Sequence, residues 1–449
     1  MPNSTAGAAA FDENSDPNNP VVVKFEDIEA AAHRIAGTVV RTPLLKAHLG
    51  QAYGMEIYYK AEFFQPTGSF KERGVSNLLA TLTEDQKKHG VISATTGNHG
   101  SAMCYHTLKA NIPCHVVMPT NSSPMKIAKC KALLGNRVII HGDDIMSAKL
   151  FALELAKEKK MLYVNGYDHI RVIEGQGTVG LEVVEQLSTV DAVLVPVGGG
   201  SLLAGIANAI KHLKPDTEIY GIETEKTCSM TESVRRDELT AVPYADSIAD
   251  GLAVSLAGVN SFASIKGMVD KMVVVKEEWV MRAIMHLLED EKVMVEGAGA
   301  TAFAAIMAGM FENLKGKKVV CICSGGNIDS KVLSRAIERA LGAEGRLVKF
   351  KVTVADRPGG AAELCALLTG IGVGIRDMLP DRTWVKSDVF SVQLKVVAEV
   401  TGMDQLKELT EVIKRNYKEY YFHDLSAKTK SAPTRRGPCL APNPVCMQK

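Results

Sequence analysis

The sequence lacks the features that mark membrane, secreted and nucleic-acid-binding proteins. No apolar run approaches the roughly 20 residues that a membrane span needs. The first twenty residues are rich in Asn, Pro, Ala and Ser, without the basic and apolar regions of a secretory signal or the arginines of a mitochondrial one. The formal net charge is only +1, which favours no contact with nucleic acid or an anionic membrane. The composition therefore predicts a cytoplasmic protein with neither kind of partner.

Aromatic residues and paired cysteines are also scarce. Aromatic residues make up 6% of the chain, and the nine cysteines show no paired spacing. Cys321 and Cys323 lie in the apolar run VVCIC, so they are expected to be buried strand residues. We therefore predict free thiols in a reducing compartment. The 449 residues, 46% of them hydrophobic, are enough for two or three domains with their own cores.

Short apolar runs alternate with amphipathic helical patterns over residues 21–345. Runs such as Val91–Ala94, Cys114–Met118 and Ala192–Val197 are too short for helices. Unbroken apolar strands that alternate with helices predict an α/β domain whose parallel sheets are covered on both faces. We expect this domain to have two lobes, the smaller one over about residues 61–165.

The pattern changes near Gly345. Leu347–Ala355 alternates as a strand, and the turn Asp356–Gly360 follows it. The order of elements over residues 346–425 is βαββαβ, which predicts a ferredoxin-like unit. Residues 1–20 and 426–449 carry no periodicity and are predicted to be disordered tails.

Four motifs rich in small residues stand at predicted strand ends or helix starts. They are PTGSFKERG (Pro66–Gly74), ATTGNHG (Ala94–Gly100), PVGGGS (Pro196–Ser201) and SGGN (Ser324–Asn327). Ligands of open α/β sheets bind at the carboxyl ends of the strands, so the four motifs are expected to share one site.

Each motif can be interpreted as part of a ligand-binding site or as an ordinary structural element. Lys71 opens a helix, where the helix dipole disfavours an ammonium group, and an amine with a lowered pKa suits imine chemistry. Three glycines, 198–200, free the backbone to wrap a phosphate, although they match neither a Walker loop nor GxGxxG. The small residues around Gly97 suit a carboxylate, and Ser324 suits a ring nitrogen. Taken singly, each motif is equally an ordinary turn or helix cap.

Taken together, the motifs resemble one family. TGSFKERG, TGNHG, EGQGT (Glu174–Thr178), PVGGGS, VEGAGA (Val295–Ala300) and SGGNIDS recur in this order in pyridoxal 5′-phosphate (PLP) enzymes of the tryptophan-synthase-β fold, in the threonine/serine dehydratase and serine racemase branch. The resemblance covers about residues 24–340. It implies a two-lobed catalytic domain of PLP fold type II that converts L-threonine to 2-oxobutanoate, or L-serine to pyruvate, with release of ammonia.

The resemblance also implies roles for individual residues. Lys71 would bond to the cofactor and move the α-proton of the substrate, and Phe70 would pack against the ring. The other implied cofactor contacts are Asn98 at the 3′-oxygen, Gly198, Gly199, Gly200, Ser201 and Leu202 at the phosphate, Ser324 at the pyridine nitrogen, and Glu296 near the ring. The substrate carboxylate would lie at Thr95, Thr96 and His99.

Four positions depart from the family pattern. Thr96 stands where dehydratases have Ala and racemases have a Ser that acts as a base, so it is either a spacer or a catalytic hydroxyl. Ser201 replaces a fourth glycine. Glu223 resembles a carboxylate of the racemase metal site. The position where racemases have its acidic partner is Ser229 here, so a metal site at Glu223 is not predicted. A surface or helix-capping role is the alternative. Glu174 replaces an Ala, and the sequence does not explain it.

The C-terminal unit resembles an ACT domain, which implies a homo-oligomer, a dimer or tetramer, and an amino-acid effector. Alternative activities are a serine racemase and a hydroxyaspartate dehydratase. O-acetylserine sulfhydrylases usually read SVKDR at the lysine, and threonine synthases lack the histidine and the SGGN ending, so both fit less well. A non-catalytic amino-acid sensor is the alternative of another class, and the intact Lys71 and glycine run argue against it.

Overall fold

A computed structural model describes residues 11–385 and 388–423, together with a two-residue strand at 445–446. The chain divides into two compact units, with the boundary between Val332 and Leu333. Within the described ranges, no helix is long and apolar enough to cross a membrane.

The helices and strands of the first unit alternate along the chain. Its helices are α1 (Phe25–Ile35), α2 (Lys71–Ala80), α3 (Glu84–His89), α4 (Asn98–Lys109), α5 (Pro124–Leu134), α6 (Ile145–Lys159), α7 (Ile170–Gln186), α8 (Ser201–Leu213), α9 (Ser229–Arg236), α10 (Val259–Ile265), α11 (Glu277–Glu289) and α12 (Gly297–Met307). Its strands are β1 (Leu44–Lys46), β2 (Glu56–Ala61), β3 (Val91–Ala94), β4 (Cys114–Met118), β5 (Val138–Ile140), β6 (Leu162–Tyr163), β7 (Ala192–Pro196), β8 (Glu218–Thr224), β9 (Lys271–Val275) and β10 (Lys318–Cys323).

The boundary falls within the first turn of α13 (Ser330–Ala343), so most of this helix belongs to the second unit. Its elements are β11 (Leu347–Ala355), α14 (Gly360–Gly370), β12 (Gly374–Asp381), β13 (Ser391–Glu399), α15 (Met403–Asn416) and β14 (Tyr420–His423). The strands form an antiparallel sheet in the order β12-β13-β11-β14. Side chains of β11 and β13 alternate between buried and less buried positions, and Phe350 and Val396 are fully buried on the inner face. The predicted βαββαβ order is the observed one.

Two sheets build the first unit. The smaller has the order β5-β4-β3-β6, and all its strands are parallel. The larger has the order β1-β2-β10-β7-β8-β9-β15, where β15 is Val445–Cys446. Its five inner strands are parallel, and the two edge strands are antiparallel to their neighbours. The strands are apolar because helices cover both faces, as the sequence predicts.

The order of the larger sheet brings three loops together. Strands β2, β10 and β7 are adjacent and parallel, so their carboxyl ends lie at the same edge of the sheet. The loop to Lys71 follows β2, the loop with Ser324 follows β10, and the glycine turn follows β7. Sequence analysis placed β7 and β10 but missed β1, β2 and β9.

Close helix packing explains the motif EGQGT on α7. A side chain at Gly175 would place its Cβ 2.5 Å from the Arg73 carbonyl oxygen on α2, and one at Gly205 on α8 would come equally close to Gly177. Glycine at these positions therefore lets α2 and α8 approach α7. Glu174 on the same helix accepts hydrogen bonds from Arg171 and Asn77, so this carboxylate ties α7 to α2.

One segment differs from the sequence-based expectation, and residues 1–10 of the predicted N-terminal tail lie outside the described residues. Residues 11–20, predicted to be a disordered tail, follow a defined course in which the side chain of Asp12 is only 1% exposed. Of the predicted C-terminal tail, only Val445–Cys446 lies within the described residues, paired with β9. Cys228 is disulfide-bonded, so the expectation of free thiols is wrong at that position.

Candidate active site

Lys71 is the first residue of α2 and follows a tight turn. Gly68 in that turn has φ +81°, a conformation that side chains other than glycine rarely adopt. The Lys71 Nζ donates a hydrogen bond of 2.6 Å to the Gly166 carbonyl oxygen and lies 5.1 Å from the centre of the Phe70 ring. Burial lowers the pKa of Lys71 to about 8. The amine is therefore closer to neutrality than an ordinary lysine. The sequence-based prediction attributed a lowered pKa to the helix dipole, whereas the cause in the structure is burial.

The loop that precedes Lys71 is bonded to the loop that follows β10. The Phe70 amide donates to the Ser324 carbonyl oxygen at 3.0 Å, and the Gly326 amide donates to the Gly68 carbonyl oxygen at 2.9 Å. Ser324 is 2% exposed. These bonds place Ser324 beside Phe70 and Lys71.

Asn98 and Glu296 form a hydrogen-bonded pair beside the loop that follows β10. The Asn98 Nδ2 donates to Glu296 Oε1 at 2.6 Å, and Asn98 Oδ1 accepts from Asn327 Nδ2 at 3.1 Å. Glu296 is 2% exposed, and its Oε2 has no hydrogen-bond partner among the described residues. Burial raises the pKa of Glu296 to about 7. Glu296 therefore fixes Asn98 and can carry a proton near neutral pH.

The glycine turn after β7 leads into α8. Gly200 has φ +103°, and a Cβ at Gly199 would lie only 2.3 Å from the Tyr167 ring. Ser201 and Leu202 begin the helix and are 2% and 3% exposed. The first amides of a helix have no partner within it, so the turn is suited to an anion.

Thr95, Thr96 and His99 surround the start of α4. The Gly97 amide donates to Thr95 Oγ1 at 3.1 Å, while Thr96 is exposed. His99 is 5% exposed, and neither ring nitrogen has a partner within the described part of the chain. Burial, with a smaller effect of the Lys71 charge, lowers the pKa of His99 to about 3. The imidazole is therefore neutral at physiological pH.

Glu223 does not have the surroundings of a metal ligand. Its carboxylate accepts hydrogen bonds from the Met230 and Thr231 amides at 3.0 and 2.7 Å and from Thr231 Oγ1 at 2.6 Å. Within residues 11–385 and 388–423, no three His, Cys, Asp or Glu side chains are grouped so that they could hold a metal ion. Glu223 caps the start of α9, and it is fully buried rather than on the surface.

Sequence reasoning missed several residues of the site. Gly166 and Tyr167 follow the short strand β6, and their position at a strand end was the signal that could have identified them. Lys126 on α5 is 5% exposed, and its Nζ bonds to Asp250 Oδ2 at 2.5 Å. A Cβ at Gly97 would lie 3.1 Å from that Nζ. A lone lysine on an amphipathic helix gives no sequence signal of this kind.

A network of buried charged side chains connects α2 to β2 and α7. Arg73 Nε donates to Glu62 Oε2 at 2.8 Å, and Arg73 Nη1 donates to Glu182 Oε1 at 2.7 Å. Lys60 on β2 also bonds to Glu182. Arg73, Glu62 and Lys60 are fully buried, so the network anchors the helix that carries Lys71.

The arrangement suits one kind of chemistry. An amine with a lowered pKa stands at the end of a sheet, and the glycine turn before α8 packs so closely on Tyr167 and Met230 that a Cβ at Gly199 or Gly200 would collide with them. Ser69 Oγ and Glu296 Oε2 are buried and have no hydrogen-bond partner among the residues that the structure describes. These residues fit an aldehyde that carries a phosphate and a polar ring.

Comparisons with known proteins agree with this chemistry. The family model described as pyridoxal-phosphate dependent enzyme matches residues 35–325. The L-threonine ammonia-lyase of Thermotoga maritima is 36% identical over 393 residues, which is 87% of this chain and 97% of that protein. The processed form of threonine deaminase isoform 2 from Solanum lycopersicum has a TM-score of 0.66 at 33% identity, over 72% of this chain and 96% of its own. Maize serine racemase has a TM-score of 0.67 at 30% identity, over 71% and 98%. The chain is thus similar to ammonia-lyases and to a racemase of one α/β fold.

Proposed function

Because this chain belongs to the family of pyridoxal-phosphate dependent enzymes, we propose that it removes water and then ammonia from L-threonine or L-serine. The products are 2-oxobutanoate and pyruvate, respectively. The observation that carries the proposal is the buried amine of Lys71, whose pKa is lowered to about 8. It follows the loop that is bonded to Ser324, and it bonds to Gly166, next to the Tyr167 ring that packs on the glycine turn. The likeness to the Thermotoga maritima L-threonine ammonia-lyase over 87% of this chain supports the same substrate class.

Lys71 carries the central role. Its Nζ would bond to the cofactor aldehyde and, when not so bonded, would be placed to take the proton from Cα of the substrate. The Gly166 carbonyl oxygen, which accepts from this Nζ at 2.6 Å, holds the amine in place. Pyridoxal phosphate supplies an aldehyde for amines and a ring that stabilises negative charge at Cα.

The other residues hold the cofactor. Amides of the turn Gly198–Leu202 bind the phosphate at the start of α8. Asn98, fixed by Glu296, would bind the 3′-oxygen, and Phe70 would pack against the ring. Ser324 would offer a neutral hydroxyl to the ring nitrogen, which would not favour a fully protonated ring and would suit loss of a β-hydroxyl over transamination.

The substrate carboxylate binds at the start of α4. Thr95 and Thr96 precede this helix, where backbone amides favour an anion. The neutral imidazole of His99 adds a hydrogen bond without a charge, because its pKa is about 3.

In this proposal, residues 21–345 form the catalytic domain and residues 346–425 an ACT-like regulatory domain. The βαββαβ order of the second unit supports the likeness, and an amino acid is the proposed effector. The enzyme acts in the cytoplasm as a dimer or tetramer.

A serine racemase activity is the second candidate. Thr96 is exposed and carries a hydroxyl at the position of the racemase base, and the likeness to maize serine racemase favours the same idea. In that case, D-serine would form beside pyruvate.

The test compares wild type with Lys71→Ala and with Lys46→Ala, a control whose side chain is 64% exposed. L-Threonine, L-serine and D-serine are assayed with and without added free amino acids. We expect Lys71→Ala alone to abolish 2-oxobutanoate formation and to escape covalent labelling when borohydride is added. A Lys71→Ala protein that still deaminates threonine would contradict the proposal.

A further inference from the structure

The N-terminal segment, defined here as residues 11–20, packs against the loop that follows β6. Asp12 Oδ2 accepts a hydrogen bond from Asn165 Nδ2 at 2.9 Å and pairs with Lys149 Nζ at 3.2 Å. The side chains of Asp12 and Lys149 are 1% and 9% exposed. Charged groups this far from water are held only where the pairing is specific. The segment is therefore docked through Asp12.

The loop that receives Asp12, defined here as Asn165–His169, makes two contacts with the active site. The Gly166 carbonyl oxygen accepts from Lys71 Nζ at 2.6 Å. The Tyr167 ring lies against the glycine turn, where a Cβ at Gly199 would be 2.3 Å away. Any movement of this loop therefore moves the acceptor of the amine and one wall of the anion cradle.

Asn165 connects the segment to this loop. Its Oδ1 accepts from the Tyr167 and Asp168 amides, each at 3.2 Å. A carboxylate accepts hydrogen bonds and cannot donate them, so Asp12 requires the amide nitrogen of Asn165 to face it. The oxygen of the same amide must then face the loop. Asp12 thus fixes the orientation of the side chain that shapes the loop.

A second contact ties the segment to the same place. Asn260 Nδ2 on α10 donates to the Asn14 carbonyl oxygen at 2.6 Å and to the Asp168 carbonyl oxygen at 2.8 Å. Asp168 in turn accepts from the Val259 amide at 2.8 Å. The N-terminal segment, the loop and α10 therefore form one hydrogen-bonded unit.

We propose that Asp12 is a positioning residue for catalysis, which acts through Asn165 on Gly166 and Tyr167. The inference rests on the proposed role of Lys71 as the reacting amine. It assigns to the N-terminal segment a part in holding the cofactor and the amine.

The test compares the holoenzymes of wild type, Asp12→Ala and Glu13→Ala, a control at the adjacent exposed carboxylate. We expect Asp12→Ala to weaken cofactor binding and to lower kcat on the order of tenfold each, the effect of one charge-assisted hydrogen bond. The KM for L-threonine should change less than about twofold, because the carboxylate site at the start of α4 is not touched. Hydrogen exchange of the peptide 165–172 should become faster in Asp12→Ala only. Asp12→Leu, which keeps about the size of the side chain and removes the acceptor, replaces Asp12→Ala if that variant does not fold.

Two results would overturn the inference. One is that Asp12→Ala leaves hydrogen exchange in the peptide 165–172 unchanged, whatever its effect on deamination. The other is faster exchange with unchanged cofactor affinity and kcat. A wild type that forms no 2-oxo acid would instead contradict the proposed function, and the exchange measurement would still report whether Asp12 holds the loop.

Discussion

Replacing Glu296 with Gln should make the protein more stable at neutral and alkaline pH. Burial raises the pKa of Glu296 from its ordinary 4.5 to about 7, so the folded protein holds this proton more tightly than the unfolded chain does. Stability from this group is complete below pH 4.5 and is lost as the pH rises through 7. At about 1.4 kcal/mol for each pH unit, the loss is about 3 kcal/mol. Gln keeps the oxygen that accepts from Asn98 and has no charge to bury.

The assay is calorimetric unfolding of the cofactor-free protein between pH 5 and pH 8. For a first unit of roughly 330 residues, the unfolding entropy is about 0.7 kcal/mol/K. The Tm of Glu296→Gln relative to wild type should therefore rise by about 4 °C over this range. Glu312→Gln, at a side chain that is 69% exposed, is the control and should show a constant difference. A Glu296→Gln difference that stays within about 1 °C across the range would refute the reasoning.

Three further changes test other parts of the site. Gly199→Ala should weaken cofactor binding about 5- to 150-fold in a cofactor titration, because overpacking costs about 1–3 kcal/mol. The control Gly370→Ala, which has open space around it, should leave cofactor binding unchanged. Arg73→Met should lower the free energy of unfolding by about 3–5 kcal/mol in urea, because Glu62 stays buried without its partner; an unchanged midpoint would contradict this. Thr96→Ala should spare threonine deamination, and loss of D-serine formation in this variant would support the racemase activity, whereas a wild type that forms no D-serine would exclude it.

The sequence predicted the strands whose residues are uniformly apolar. Strand β7, with five buried residues, was found for this reason, whereas β11 was found because its apolar and polar residues alternate. Strand β2 was missed because Lys60 interrupts its apolar pattern. Lys60 is nevertheless fully buried, since Glu182 on α7 pairs with it. Such a partner is distant in the chain, so local periodicity does not reveal it.

The candidate site was predictable where backbone geometry dictates the residue type. The glycine turn and the lysine at the start of α2 have local signatures. Tyr167, Lys126 and Asp12 act through contacts with residues far away in the sequence, and each has an ordinary local context. The predicted disorder of residues 11–20 followed from their composition, which does not report the acceptor role of Asp12 toward Asn165.

The position of β10 has a consequence for how the protein is made. This strand is the last of the first unit's inner strands to be synthesised, yet it lies between β2 and β7, more than a hundred residues earlier in the chain. A growing chain therefore keeps a gap in its main sheet until Cys323 has left the ribosome, and closing that gap is a long-range, slow event. The cofactor site includes the loop that follows β10, so it is complete only afterwards, and saturation with cofactor reports whether this gap has closed.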